Sequence, residues 1–381
     1  MDQLRFVKKS QKSIASIENL ALALNLPLID IECALELPVE QRYIPFPAPG
    51  GTRIVNKVHP LIATLQRRIK NRILVELVEY PNYIFGSIRD EINPRDYINC
   101  AKQHCLAKSL SKIDISGFFD NIQYDAIYDI FEKLFHFPAE VCDVLSNITT
   151  KNGTLPQGAP SSSHLATLVF YESEHKIVQN AKSRGLIYTR LMDDITISSK
   201  TEQYDFRAIR SRVIQMIEGK YLTINEGKST THAQINSQVL VHGLRVNCAT
   251  PALSDKSKSK IRALVHKLEI AASLPNGRTF ESYRRLYDHT SGSLTILKRL
   301  EHPKYYHYRK RLREILPLPS PAYMNQLWAV FGSLSCSPEQ RVYGWYHTRF
   351  YMLQNRLNIA QRIYKAEAAD IRARLREMRP V

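Results

Sequence analysis

The sequence predicts an α+β protein: an antiparallel sheet with helices on one face, followed by a helical and strongly basic remainder. Three observations predict it. Strand-like runs and helical stretches alternate irregularly and are joined by hairpin signals, which favours this class over a doubly wound sheet. From Ser254 onward the apolar periodicity is mostly helical. At 381 residues, with 44% apolar and 23% charged, the chain can bury a real core as one large or two to three modest domains.

Ser13 to Asn25 reads as a short amphipathic helix with Ile17, Leu20 and Leu24 on one face. Around Tyr43 to Val58 the chain turns Pro- and Gly-rich, and PAPGGTRIV predicts a hairpin with its tip at Gly50-Gly51. Pro60 opens a helix, LIATLQRRIKNRILVELVEY, apolar at positions 61, 62, 65, 69, 73 and 77. SKIDISGFFDNI alternates like a strand and ends in a turn. Ser161 to Arg184 predicts one helix, stopped by Gly185. Two short β runs flanking adjacent acids follow in YTRLMDDITIS. Asp205 to Glu218 then reads as helix, Tyr221 to Val246 as β, and Ser254 to Ala272 as helix. No internal repeat or low-complexity tract is present.

Composition excludes several classes. No apolar run approaches membrane-spanning length, and MDQLRFVKKSQKS lacks the apolar core of a signal peptide, so a soluble, cytoplasmic protein without a membrane partner is expected. Six cysteines, at 33, 100, 105, 142, 248 and 336, form no C-x-x-C pair, and twelve histidines form no H-x-x-x-H. A zinc site or disulfide framework is therefore not expected. The net charge of +17 is uneven: Asp255 to Glu314 carries 15 Lys and Arg against 6 Asp and Glu. With Tyr283, Tyr287, Tyr305, Tyr306 and Tyr308 interleaved, this segment reads as a nucleic-acid footprint with stacking groups.

Three stretches carry chemistry. KIDISGFF holds Asp114 at the end of a β run, LPQGAPSSS holds a Gln-Gly turn leading into a helix, and LMDD holds Asp193 and Asp194. Alternation along a strand points neighbouring side chains to opposite faces, so two adjacent acids repel and interrupt packing unless a tight turn holds them. At a hairpin tip both can approach Asp114 on a neighbouring strand. Hard divalent cations neutralise such a cluster, and two of them about 3.5–4 Å apart clamp the attacking and leaving oxygens of phosphoryl transfer.

In order and chemistry these stretches resemble the palm of a reverse transcriptase, and the similarity is to bacterial retron-type enzymes over roughly residues 10 to 315. The resemblance implies a right-hand polymerase with fingers and palm, a helical thumb and a C-terminal extension. The expected boundaries are 1–110 for N-terminal helices and fingers (with part of 120–160), 111–250 for palm, 251–316 for thumb and 317–381 for extension. It implies that Asp114 and Asp193, with Asp194 assisting and the Ile115 carbonyl as an extra ligand, bind two Mg²⁺ ions, with Mn²⁺ as a substitute. Phe119 matches the bulky gate against a ribose 2′-OH, and one of Phe118 and Phe119 belongs to the core. The resemblance further implies that Gly117 and Phe118 N–H groups cradle the triphosphate, that Gln157 and Gly158 pack on the incoming nucleotide, that Arg53 grips its phosphates and that Lys228 faces the leaving pyrophosphate. The family reads YADD and SPxLxN where this chain has Leu191 and Met192 before the acids, and Ser163 and Thr167 in place of Pro and Asn.

Two retron signatures recur in altered form. NAxxH corresponds to Cys100-Ala101-Lys102-Gln103-His104, with Cys for Asn, and VTG to Val241-His242-Gly243, with His for Thr. The resemblance associates both with recognition of a partner RNA. The implied partners are a cognate structured noncoding RNA and its DNA product, deoxynucleoside triphosphates and a separate effector protein. The implied product is a branched RNA–DNA hybrid primed from a 2′-OH and used in anti-phage defence. Two alternatives stand beside this reading: a different bacterial reverse transcriptase, of defence or group II type, and an inert RNA-binding scaffold that kept the palm for its shape.

Overall fold

The alternating run Ser109–Asp114 becomes β4, an inner strand of a five-stranded sheet. In the computed structural model, which describes residues 7–8, 14–48, 54–235, 239–335 and 338–380, the chain divides into two compact units, Met1–Ser254 and Asp255–Val381. In the first unit, after N-terminal helices, a hairpin pairs β1 (Tyr43–Pro47) antiparallel to β2 (Ile54–Val58), and its predicted Gly50-Gly51 tip lies outside the described residues. Its main sheet comprises β3 (Ile84–Phe85), β4, β5 (Ile187–Leu191), β6 (Asp194–Ser199) and β7 (Thr230–His232), in the order β3-β5-β6-β4-β7. Every pairing is antiparallel except β3 with β5. A small sheet of β8 (Leu240–Val241), β9 (Leu244–Arg245) and β10 (Ala252–Leu253) completes the unit.

Register assigns the two faces of the main sheet. Residues directly opposite across an antiparallel pair share a face. Ile113 lies opposite Ile195, and Tyr188 opposite Ile197. All four are buried in the apolar core that the helices cover. The other face carries Asp114 opposite Asp194, and Thr189 opposite Thr196. The polar face is the one that positions the site.

Helix ends follow local chemistry. The Ser16 side chain accepts from the Asn19 N–H and caps a helix over Ile17–Leu24, later than Ser13, and Asn25 closes it with φ +53°. Pro60 stands in the first turn of a helix over Pro60–Ile69, which continues as a wider turn over Lys70–Val75. The single helix expected over 161–184 is instead two, Ser162–Leu168 and Glu174–Ser183. The break has a visible cause. The carbonyl of Thr167 is taken by the Arg190 guanidinium at 2.7 Å, so a side chain satisfies what the next helical turn would have satisfied.

The second unit is helical over Asp255–Ser273, Glu281–Arg299, Lys304–Glu314, Pro321–Gly332, Gly344–Ala360 and Lys365–Glu377. Its last three helices enclose their own core, including Leu327, Tyr346, Phe350, Leu353 and Ile371. They are joined to the preceding helices by the Leu318 N–H donating to the Arg278 carbonyl at 2.9 Å and by Arg284 lying 5.1 Å over the Tyr323 ring. Among the described residues no helix is long and apolar enough to cross a membrane.

Candidate active site

The adjacent acids sit where strand and turn meet. β5 and β6 pair with Leu191 opposite Asp194, leaving Met192 and Asp193 as the two turn residues. Met192 takes φ +58°, and its side chain passes over Gly86, where a Cβ would meet Met192 Cγ at 3.3 Å. β4 brings Asp114 opposite Asp194, and the Ile115 N–H donates to the Asp193 carbonyl at 3.2 Å. Asp114, Asp193 and Asp194 thus gather at one end of the inner strands β4 and β6, although 79 positions separate Asp114 from Asp193 in the chain (193 − 114).

The electrostatics of the three acids differ. Burial raises the Asp193 carboxyl above its usual range, and the like charges of Asp194 and Asp114 add to it. Asp194 is half-buried and pays a similar desolvation penalty, but His242, Lys112 and Lys228 outweigh it and hold its carboxyl low. His242 Nδ1 lies 3.5 Å from Asp194 Oδ2, and Lys228 Nζ 3.4 Å from Asp114 Oδ2. The cluster therefore crowds three carboxyls together, least favourably for charge at Asp193, with one ammonium already drawn to Asp114. Its donors are all hard oxygens, and among the described residues no hydrogen bond reaches the Ile115 carbonyl. That set fits a hard divalent cation. Among the described residues no group of three His, Cys, Asp or Glu side chains is already arranged to hold a metal ion.

A buried cation supports the turn from the core side. Arg190 donates from Nε and Nη2 to the two Glu174 carboxylate oxygens at 2.6 and 2.8 Å, and from Nη1 to the Met192 carbonyl at 3.2 Å. The Tyr188 hydroxyl donates to Glu174 at 2.8 Å. The guanidinium lies 5.3 Å over Phe170, and Phe170 stacks on Phe118 with centroids 6.1 Å apart. Sequence reasoning missed Arg190 and Glu174. An Arg inside an otherwise strand-like run was a signal, but no spacing rule names its partner.

Around the acids lie the residues expected to meet a nucleotide. Gly117 takes φ +52°, and a Cβ there would stand 2.8 Å from the Asn121 amide nitrogen, so the turn after β4 needs glycine. Phe118 is the core member of the aromatic pair, while Phe119 is half-buried and meets it edge-on. Gln157 is docked on β2 through its carbonyl, which accepts from the Asn56 N–H at 3.0 Å and from the Asn56 amide at 3.2 Å. Gly158 follows with φ +94°. The hairpin expected to carry the phosphate-gripping Arg is therefore tied to the Gln-Gly turn. Arg53 itself lies outside the described residues.

The two altered signatures meet on the polar face. His242 and Gly243, with φ +48° and +81°, form the tight turn between β8 and β9. Val241 and His104 are wholly buried, and burial pushes the His104 imidazole down to about 3, so it is neutral. Its Nδ1 lies 2.7 Å from Ser198 Oγ and its Nε2 2.7 Å from Thr189 Oγ1.

In the second unit one expectation is corrected. Tyr283, Tyr287 and Tyr308 are buried and do not stand out as stacking groups. The Tyr283 and Tyr287 hydroxyls donate to the carbonyls of Ile315 and Leu312, so these rings join helices. Tyr306 is 78% exposed and Tyr305 half-buried, which leaves those two for an outside partner.

Comparison with known proteins identifies the chains that this one is similar to. Residues 46–266 match the family described as reverse transcriptase (RNA-dependent DNA polymerase). The chain is 35% identical to Retron Ec48 reverse transcriptase of Escherichia coli, over 100% of this chain and 97% of that protein. It is 33% identical to Retron Se72 reverse transcriptase of Salmonella heidelberg (strain 579083-10), over 67% of this chain and 66% of that one. Retron Ec86 reverse transcriptase of Escherichia coli is 32% identical over 45% of this chain and 52% of its own length.

Proposed function

Because the chain belongs to the reverse transcriptase family, as a retron-type RNA-directed DNA polymerase, we propose that it copies a cognate structured noncoding RNA into a short DNA. Synthesis would start from a 2′-OH of that RNA and give a branched RNA–DNA hybrid, used with a separate effector protein in anti-phage defence. The observation that carries the chemical part is the register of β4 on β6, which sets Asp114 opposite Asp194 beside the Asp193 turn.

Reverse transcriptases generally use divalent metal ions. The donor set here suits two Mg²⁺ ions, with Mn²⁺ as a substitute, held by Asp114, Asp193 and the Ile115 carbonyl with Asp194 assisting. Bound there, the cations would offset phosphate charge and polarise the attacking and leaving oxygens of nucleotidyl transfer. The chain's own residues orient the substrate. Gly117 and Phe118 N–H groups and Arg53 would hold the triphosphate, Gln157 and Gly158 would support the nucleotide, and Phe119 would exclude a ribose 2′-OH. Lys228, paired with Asp114 in this structure, would swing to the departing pyrophosphate and give it a proton.

The partner RNA would be read around 100–104 and 241–243. Since His104 and Val241 are buried, they would act by shaping that surface, with Gly243 supplying its turn. We assign fingers to 1–110 with part of 120–160, palm to 111–250, basic thumb to 251–316 and extension to 317–381. The division of the chain between Ser254 and Asp255 supports the palm–thumb boundary.

Primer extension on an RNA template with Mg²⁺ tests the polymerase reading. The wild-type chain should incorporate deoxynucleotides, and replacing Asp193 and Asp194 with Ala should cost more than about 10³-fold, several kcal/mol of transition-state charge stabilisation. RNA binding should persist, because it comes from the basic surfaces. No incorporation by well-folded wild-type protein would favour the inert scaffold. Sequencing copurified nucleic acid tests the retron part, which requires one structured RNA joined to a short DNA.

A further inference from the structure

The two positions where this chain departs from the retron signatures, 142 residues apart, touch each other: Cys100 Sγ lies 3.3 Å from His242 Nε2. The contact has a direction. His242 presents its other ring nitrogen to Asp194 Oδ2 at 3.5 Å, a long polar contact, and its side chain is 7% exposed. Behind Cys100 the chain of contacts continues without a gap. Its Sγ lies 3.2 Å from Thr189 Oγ1, which is 2.7 Å from His104 Nε2, and His104 is held by Ser198. Thr189 belongs to β5, while Ser198 and Asp194 belong to β6, and all three lie on the polar face of the sheet. One end of this network is thus fixed on the sheet, and the other ends on a carboxylate of the candidate metal cluster.

Size links the two departures. Cys is slightly smaller than Asn and His is much larger than Thr, so the room left at 100 accommodates part of the larger ring at 242. Side chains in direct contact do not tolerate a change of size independently, which couples the two positions. The backbone contributes as well, because His242 holds φ +48° in a tight turn, which fixes the ring over the sheet.

We infer that His242 is a positioning residue that aims the Asp194 carboxylate, and that Cys100 and His242 form a matched pair in which each requires the other. This rests on Asp194 assisting at the metal site, as proposed above. His242 turns Nδ1 to Asp194 Oδ2 and keeps Nε2 within reach of the Cys100 thiol. Burial, which raises that thiol to about 12, keeps it protonated for the purpose. Hydrogen-bonded partners of carboxylate ligands set their direction, and losing one typically costs about 10–100-fold in metal affinity or activity.

The test uses the full chain and Mn²⁺ alone as probe, with free Mn²⁺ counted by electron paramagnetic resonance in the absence of nucleotide and nucleic acid. His242→Thr should weaken Mn²⁺ binding about 10-fold, and Cys100→Asn should weaken it by crowding the imidazole. The double variant should recover to within about threefold of wild type, the non-additivity expected of residues in contact. His242→Asn, whose amide nitrogen stands where Nδ1 was, should keep more binding than His242→Gln, whose nitrogen stands where Nε2 was. Urea unfolding in chelator confirms that each variant is folded. Losses in the double variant equal to the product of the single losses overturn the pairing, and equal losses in Asn and Gln overturn the link to Asp194. If wild type extends primers and the Asp193 and Asp194 variants do not, while His242→Thr binds Mn²⁺ normally, this inference fails and the polymerase reading stands. If wild type copies no RNA but the Mn²⁺ pattern holds, the polymerase reading fails and the positioning role stands.

Discussion

Arg190 and Glu174 form an ion pair in which neither side chain reaches solvent, at 0% and 1% exposure, with a shortest N–O distance of 2.6 Å. The same guanidinium holds the Met192 carbonyl in the turn that carries the acids. A surface pair of this geometry would contribute little. Here the pair joins the helix over Glu174–Ser183 to the hairpin that carries the adjacent acids, and each partner leaves a buried, uncompensated group if the other is removed.

Glu174→Gln is therefore expected to destabilise the chain by about 3–5 kcal/mol, the usual result of breaking a buried pair from one side. The midpoint of urea unfolding reads the change. Arg190→Met with Glu174→Leu removes both charges and should recover much of the stability. It should not recover primer extension, because no donor is left for the Met192 carbonyl. Full activity in the stable double variant would show that the guanidinium has no part in positioning the turn.

The neutral state of His104 predicts that the fold around the main sheet is acid-labile. Its ordinary value is 6.5 and burial brings it to about 3 in the folded chain. The folded value lies below the unfolded one, so the unfolded chain takes up the proton first. Stability is then complete above 6.5, falls as pH drops through the window between 6.5 and about 3, and levels off below it. From pH 7.5 to pH 5 the loss from this group should be about 2 kcal/mol. Comparing urea unfolding at the two pH values for wild type and His104→Asn isolates it, because the variant lacks the titrating ring and should show a smaller loss.

Gly158 is expected to resist even a methyl group. Its φ is +94°, and an added Cβ would stand 3.4 Å from both the Asn56 carbonyl oxygen and Val55 Cβ. Gly158→Ala should cost about 1–2 kcal/mol from backbone conformation alone. Because the strain falls where the Gln157 carbonyl docks on β2, it should also raise the KM for deoxynucleotides more than it lowers kcat. Steady-state primer extension separates the two.

The limits of the sequence follow from what each feature depends on. Asp114, Asp193 and Asp194 could be read because adjacent acids in a strand-like run need a local explanation, and a two-residue turn supplies it within the run itself. The hairpin over Tyr43 to Val58 was readable for the same reason. Arg190 with Glu174 and Cys100 with His242 were not, since each pair is made by helix packing or cross-strand register between residues 16 and 142 positions apart. The broken helix over 162–183 belongs with them. Its break answers to the Thr167 carbonyl being claimed by Arg190, a tertiary contact that 3.6-residue periodicity cannot encode. Tyr283, Tyr287 and Tyr308 failed in the opposite direction, because composition ranked them by chemistry while packing decided their faces.

The adjacent aromatics Phe118 and Phe119 allow the gate to be separated from the core. Phe118 is 3% exposed and stacked on Phe170, beneath the Arg190 guanidinium. Phe119 is half-buried, packed against the rim of the core just after the turn that follows Asp114. Phe118→Ala should destabilise by about 3–5 kcal/mol, the usual cost of truncating a core aromatic, and activity should fall with the folded fraction. Phe119→Ala should cost much less in unfolding. If Phe119 is the gate proposed above, its effect should appear in selectivity, because removing a side chain that would collide with a 2′-OH lowers the barrier to ribonucleotides and leaves deoxynucleotides almost unchanged. The ratio of kcat/KM for deoxynucleotide over ribonucleotide should therefore drop at least about 10-fold in Phe119→Ala, which is about 1.4 kcal/mol of differential transition-state binding. An unchanged ratio in a folded Phe119→Ala protein would place the gate elsewhere.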